Sequence, residues 1–191
     1  MRKKRVGVLI SGRGSNMLAL VEAARAPDYP AEISCVVSNR PDAGGIEAAS
    51  RLGIETKVIN NRDYPSREDF DAALNSYLQS QNLDLIACAG FMRVMSPVVI
   101  APWEGRMINI HPSLLPLYKG LHTHERALAD GQKESGCTVH LVTAALDDGP
   151  ILGQARVAIH PDDTPETLAA RILVEEHRLF PQALKRLALQ L

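Results

Sequence analysis

No stretch of this 191-residue sequence approaches the ~18–20 consecutive apolar residues of a membrane span. Its basic opening, Arg2-Lys3-Lys4-Arg5, leads only into Val6–Ile10 before Ser11-Gly12-Arg13-Gly14. A secretory signal needs about 7–15 apolar residues at that point, so none is expected. Cysteine is scarce: Cys35, Cys88 and Cys137 are odd in number, far apart and without CxxC spacing. Each lies in a strand-like run, which predicts buried reduced thiols rather than a disulfide framework, and a cytoplasmic location. A basic surplus is also missing. Lys and Arg number 21 against 22 acids, and without the first five positions the balance is 17 to 22, a charge of −5. A body that acidic is a poor match for nucleic acid gripped through its phosphates. There is no internal repeat, low-complexity segment or linker, so one domain over residues 1–191 is expected, at roughly 100–200 residues per domain. What is present is 46% apolar and 23% charged residues, ordinary values for a globular chain with a substantial core.

The first hundred residues alternate between β-branched runs and helical patterns. Strands are expected at 5–10, 32–38, 55–59 and 83–88, with helices from about 16 to 25 and 44 to 52. Ser66 followed by Asp69 marks the cap of a further helix, whose Phe70, Ala73, Leu74, Tyr77 and Leu78 fall at i, i+3, i+4, i+7 and i+8. Strands alternating with helices predict an α/β, Rossmann-like, mostly parallel twisted sheet with helices on both faces. The second half is less regular. Strands are expected at 107–110, 138–142 and 153–159, and a short helix at 125–130. A long helix opens at Thr164 with Pro165 in its first turn. Pro181 should break or kink it.

Three clusters can carry chemistry. Ser11-Gly12-Arg13-Gly14-Ser15-Asn16 follows the first strand and opens the first helix, where small residues and unpaired N–H groups suit an anion. Its spacing is neither GxGxxG nor GxxxxGK[ST], so a single phosphate fits better than a dinucleotide or nucleoside triphosphate. An ordinary turn capped by Ser15 or Asn16 is the alternative. In Asn109-Ile110-His111-Pro112, period-2 alternation sends an amide and an imidazole to one side of a strand end. There they can donate to an oxygen that develops negative charge. Leu146-Asp147-Asp148-Gly149-Pro150 reads as a turn, unless a carboxylate in it reaches His111.

Other histidines carry less. His122-Thr123-His124 lacks further ligands at metal spacing, so no metal site is expected. His140 falls in a strand, His160 in an exposed turn before Pro161, and His177 on a helix surface. Glu176 interrupts the apolar stripe of Leu168, Ile172 and Phe180 on the last helix. A ligand hydroxyl, a cation or solvent can each answer it.

These clusters, with Ala89-Gly90-Phe91-Met92-Arg93 and His111-Pro112-Ser113-Leu114-Leu115-Pro116, resemble the folate-dependent glycinamide ribonucleotide formyltransferases over essentially the whole chain. The resemblance implies formyl transfer from 10-formyltetrahydrofolate to the glycinamide amine, a step of purine synthesis. It implies catalytic roles for Asn109, His111 and Asp147. Gly14, Ser15 and Asn16 would hold the substrate phosphate, and Glu176 its ribose. The backbone of Met92, Arg93, Val94 and Met95 would hold the pteridine, with Arg67 a further folate contact. Thr143, Ala144, Ala145, Leu146 and Asp147 would form the loop closing over it. On this reading the N-terminal half binds the substrate phosphate, and the C-terminal half supplies the folate site and the catalytic residues. Two departures from the family pattern stand out. Asp148 replaces a small or neutral residue, and Lys119 lies one place from an expected basic residue.

An amine attacking a formyl carbon creates an oxyanion, which needs donors fixed in advance. His111 as imidazolium and the Asn109 amide would supply them. Asp147 is expected to lift the His111 pKa above the ~6.5 of free imidazole. Neither a covalent intermediate nor a metal is required. Small-molecule substrates are the expected partners, with no nucleic acid or membrane, as a monomer or homodimer. The competing readings are a formyltetrahydrofolate hydrolase, whose family version carries an extra N-terminal domain, and methionyl-tRNA formyltransferase, which adds a C-terminal RNA-binding domain. A non-catalytic nucleotide-binding module is the alternative from another class.

Overall fold

In the computed structural model, which describes residues 2–191, seven strands form one sheet in the order β3-β2-β1-β4-β5-β6-β7. Strands β1 (Lys4–Ile10), β2 (Ala31–Ser38), β3 (Glu55–Val58), β4 (Leu85–Cys88) and β5 (Met107–His111) run parallel. The last two, β6 (Glu134–Leu141) and β7 (Ile151–Ala158), are antiparallel to their neighbours. The expected α/β, mostly parallel sheet is borne out. Alternation along the buried strands feeds two cores. Val6, Val8 and Ile10 pack on one face with Met17 and Leu20 of α1 (Ser15–Ala24), and with Leu168, Ile172 and Phe180 of α6 (Pro165–Gln190). Leu9, Cys35 and Val37 pack on the other with Phe70, Leu74 and Leu78 of α3 (Arg67–Ser80), and with Val99 of α4 (Pro97–Ile100). A strand covered on both faces must be apolar throughout, as β4 is. Helix α2 (Gly44–Arg51) buries Ala49 in the first core, and α5 is Thr123–Ala129.

The Ser66 cap read from sequence is present, and α6 opens after Thr164 as expected. Ser66 Oγ accepts from the Asp69 N–H at 3.1 Å, and Thr164 and Thr167 form a reciprocal box at the start of α6. Cys35, Cys88 and Cys137 are free and buried. Other expectations are corrected. Helix α6 runs unbroken through Pro181. Proline removes one helical hydrogen bond, but Pro181 is buried beside Leu179, Phe180 and Leu184, and its carbonyl accepts from Tyr29 Oη at 2.7 Å. Packing of that stripe outweighs the local penalty. Strand β6 starts at Glu134 because pairing with β7 overrides the turn-like Glu134-Ser135-Gly136. The four-residue α4 is too short for a periodic pattern to reveal it.

The sheet grows leftward from β1 to β2 and rightward from β1 to β4. Loops leaving the carboxyl ends of β1 and β4 therefore diverge and open a crevice, the usual ligand position in such sheets.

Candidate active site

Three chain segments leave the carboxyl ends of adjacent strands β1, β4 and β5. After β1, Gly14 occupies the helix N-cap of α1 at φ +76°, with no side-chain cap, so the first N–H groups of the helix stay free for an anion. A Cβ on Gly14 would lie 2.9 Å from Met17 Cε and 3.0 Å from Gly45 Cα. Only glycine fits there. The turn capped by Ser15 or Asn16 is thereby excluded. Asn16 Nδ2 instead donates to Glu176 Oε2 at 3.0 Å, leaving Asn16 Oδ1 buried and unpaired. Glu176 is 7% exposed, so its carboxylate is neither solvated nor matched by a cation. Burial raises its pKa, opposed in part by the Asn16 bond. His177, expected on the surface, is half-buried with Nε2 unpaired.

After β4, Ala89–Ser96 descends into α4. Residues 93–95 take no part in backbone–backbone hydrogen bonding, so their N–H and C=O groups are open to a ligand. Arg93 lies over the Phe70 ring, 5.0 Å from its centre.

At the end of β5 stand Asn109 and His111. Antiparallel register sets His140 of β6 opposite Asn109, and Asn109 Nδ2 approaches His140 Nε2 at 3.2 Å. His140 Nδ1 faces the Leu141 carbonyl at 2.9 Å, which must accept, so the hydrogen sits on Nδ1 and the bare Nε2 receives the amide. The same logic places a hydrogen on His111 Nε2, 2.8 Å from the Tyr118 carbonyl. His111 Nδ1 then faces Asp147 Oδ2 at 3.5 Å, and His140 Nε2 lies 3.7 Å from Asp147 Oδ1. All three side chains are buried, at 7%, 3% and 9% exposure.

Asp147 is held in place by strained loops. Its own φ is +48°, and Tyr118, Gly120 and His122 also have positive φ. That bend aims the Gly120 N–H at Asp147 Oδ2, at 2.9 Å. Gly149 closes the loop where a Cβ would fall 1.7 Å from the Leu141 oxygen. Burial alone would raise the Asp147 carboxyl, but His140 and His111, whenever either ring carries a second proton, and the Gly120 N–H hold it below its usual value. His111 departs from expectation. Burial lowers its pKa below 6.5, outweighing the Tyr118 bond and the Asp147 charge that raise it. The resting ring is neutral near pH 7.

The carboxyl-end crevice is an open cavity of about 100 Å³, and its lining includes Arg93, Val94, Met95, Asn109 and His140. The loop residues Thr143, Ala144, Ala145, Leu146 and Asp147 form its other wall. Met92 is exposed beside this lining, while Arg67 lies outside it and pairs with the neighbouring Glu68. Sequence reasoning missed His140. Its only signal is a polar residue alternating with Thr138 in the buried second half of β6. Apolar walls with a few convergent polar groups and an open backbone edge suit a flat heterocycle with its own donors and acceptors. A parallel-sheet crevice that gathers a His–Asp–Asn cluster beside a glycine-opened helix start is an arrangement suited to group transfer on an α/β sheet.

The chain belongs to the formyl transferase family, whose profile matches residues 4–184. It is 50% identical over 188 residues to the trifunctional purine biosynthetic protein adenosine-3 of Drosophila melanogaster. That alignment covers 97% of this chain but 14% of the relative's length. It is 40% identical to the phosphoribosylglycinamide formyltransferase of Haemophilus influenzae, covering 95% of this chain and 86% of that one. The crystal structure of phosphoribosylglycinamide formyltransferase from Brucella melitensis superposes with a TM-score of 0.94 at 53% identity, covering 98% of this chain and 96% of the other.

Proposed function

We propose that this chain transfers the formyl group of 10-formyltetrahydrofolate to the amine of glycinamide ribonucleotide, as one domain. The observation that carries the reading is the buried His111–Asp147 pair with the partly buried Asn109 in the crevice flanked by the anion turn and the open 93–95 edge. The names of the full-length relatives in Haemophilus and Brucella support it. Free buried cysteines suit a cytoplasmic setting, and no described helix is long and apolar enough to cross a membrane.

The formyl donor supplies an electrophilic carbon whose oxygen gains charge on attack. Gly14, Ser15 and Asn16 hold the phosphate of the nucleotide, and Glu176 accepts from its ribose hydroxyls. Neutral His111 takes the proton of the substrate ammonium at Nδ1, leaving a free amine as nucleophile. The resulting imidazolium is stabilised by Asp147 and sets its positive charge beside the oxyanion, to which the Asn109 amide donates. His140 holds that amide in orientation. Asp147 passes the second proton of the attacking nitrogen to the leaving folate nitrogen as the carbon–nitrogen bond breaks, and the His111 imidazolium gives its proton to solvent as the products leave.

The test is direct. The protein is mixed with glycinamide ribonucleotide and 10-formyltetrahydrofolate, and the folate absorbance and formylated product are followed. Turnover that needs the nucleotide is expected. Equal turnover with water alone would identify a hydrolase, and binding without turnover a nucleotide-binding module.

A further inference from the structure

Ser11 directly follows β1 at the head of the anion turn, is 5% exposed, and has no contact with Asn109, His111 or Asp147 among its hydrogen bonds. Its hydroxyl accepts from the Met92 N–H at 2.8 Å and donates to Asn39 Oδ1 at 2.5 Å. Its backbone N–H donates to the Gly90 carbonyl at 3.1 Å. One residue thus grips both ends of the 90–92 segment that leads into the open edge. Asn39, at the end of β2, is 4% exposed and lies amide to amide with Asn61 at 3.0 Å. Turned so that its oxygen accepts from Arg93 Nη1 at 3.1 Å, the Asn61 amide instead donates to the Asn39 backbone carbonyl at 2.9 Å, so the link from Asn39 passes through its main chain. The network therefore starts next to the anion turn, runs beneath the β2 and β3 ends, and returns to the folate edge.

A strand end that only had to turn would be served by an apolar residue here. Burying a hydroxyl and two amides disfavours folding unless every group is paired, and such networks fix one geometry. The function needs one geometry at this place. The anion turn fixes the amine and the 92–95 edge fixes the formyl carbon, on loops from different strands. Reacting atoms must sit about 3–3.5 Å apart, and an error of about 1 Å costs on the order of a hundredfold in rate.

We infer that Ser11 is a positioning residue that sets the spacing between the anion turn and the 92–95 edge, and so couples binding of the two substrates. The inference rests on the functional reading above.

Tetrahydrofolate binding is measured by calorimetry with and without saturating glycinamide ribonucleotide, in the wild type, Ser11→Ala and Asn39→Ala. The wild-type dissociation constants should differ about threefold or more between the two conditions. In Ser11→Ala the ratio should fall to near one and kcat should drop roughly tenfold, the size of one lost buried hydrogen bond. Asn39→Ala keeps the Met92 contact and should lose part of the coupling. It carries the test should Ser11→Ala fail to melt cooperatively. A wild-type ratio of one, or variants with the wild-type ratio and kcat, would overturn the inference. A wild type that binds both molecules yet forms no formylated product would instead overturn the functional reading.

Discussion

His111 turns toward Asp147 the one ring nitrogen that carries no hydrogen when the ring is neutral. Nε2 is taken by the Tyr118 carbonyl at 2.8 Å, and Nδ1 faces Asp147 Oδ2 at 3.5 Å. A lone pair set against a carboxylate is an unfavourable contact that one proton would relieve. Burial keeps that proton off in the free protein. The arrangement is a proton vacancy, which on the proposed function the ammonium of the incoming nucleotide would fill.

The sign of the pH dependence follows. His111 and the substrate amine must share one proton, so kcat/KM should be bell-shaped. The acid limb reports His111, and activity should rise with pH through a value below 6.5. Asp147→Asn removes the charge that lifts this pKa, so the acid limb should move to lower pH while the maximum falls. His111→Ala should lose about 10²–10³ in kcat, as for one oxyanion donor. An acid limb in Asp147→Asn that stays in place or moves to higher pH contradicts the assignment.

Glu176 should set stability against binding. Its pKa is raised on folding, so its contribution is present below pH 4.5 and is lost as pH rises through the folded value. At pH 7 the buried carboxylate therefore opposes folding. Glu176→Gln keeps an acceptor for Asn16 Nδ2 and offers a donor to the unpaired Asn16 Oδ1. The melting temperature at pH 7 should rise by about 2–4 °C, the equivalent of ~1 kcal/mol. The nucleotide KM should rise roughly tenfold as a charge-assisted bond to the ribose is lost. A lower melting temperature with an unchanged KM would make the residue structural.

Gly14 is constrained twice, by φ +76° and by contacts at 2.9 and 3.0 Å on any added Cβ. Gly14→Ala should cost on the order of 1–3 kcal/mol in urea unfolding. It should raise the nucleotide KM far more than the folate KM. Equal effects on both would displace the phosphate from this turn.

How far the sequence reached is itself a physical matter. The glycine-opened turn after β1 and the Ser66 cap were readable because local rules decide them: small residues and capping side chains lie within six positions of the helix they start. Asn109 and His111 were readable because strand alternation is local too. His140 was not, since only the antiparallel register of β5 and β6 brings it to Asn109. Tyr118 and Gly120 act through a carbonyl and an N–H, which leave no mark in side-chain identity. The His111 pKa came out on the other side of 6.5 because burial, which the sequence does not display, exceeded the charge effect that it does. Unbroken α6 has the same origin, a tertiary contact overriding proline's local preference.

The two departures from the family pattern, Lys119 and Asp148, meet each other. Lys119 Nζ donates to Asp148 Oδ1 at 2.5 Å, one residue away on each side from the bond between the Gly120 N–H and Asp147 Oδ2. Two adjacent rungs thus join the 117–122 loop to the loop that walls the crevice. The ion pair is 37% and 55% exposed, and such pairs contribute about 0–1 kcal/mol after solvent screening. Its removal should barely move the melting temperature. Its effect belongs to the folate side, where loop closure is a small free-energy difference. Asp148→Ala should raise the folate KM about two- to fivefold, which is the full size of an exposed pair. Salt of about 0.5 M, with a screening length of roughly 4 Å, should bring the wild type to the same KM. The mutant should be nearly insensitive to salt, and Lys119→Asp combined with Asp148→Lys should restore both the KM and its salt dependence. If wild type and Asp148→Ala share one salt dependence, the pair does not hold the loop, and the Gly120 bond to Asp147 alone positions the carboxylate.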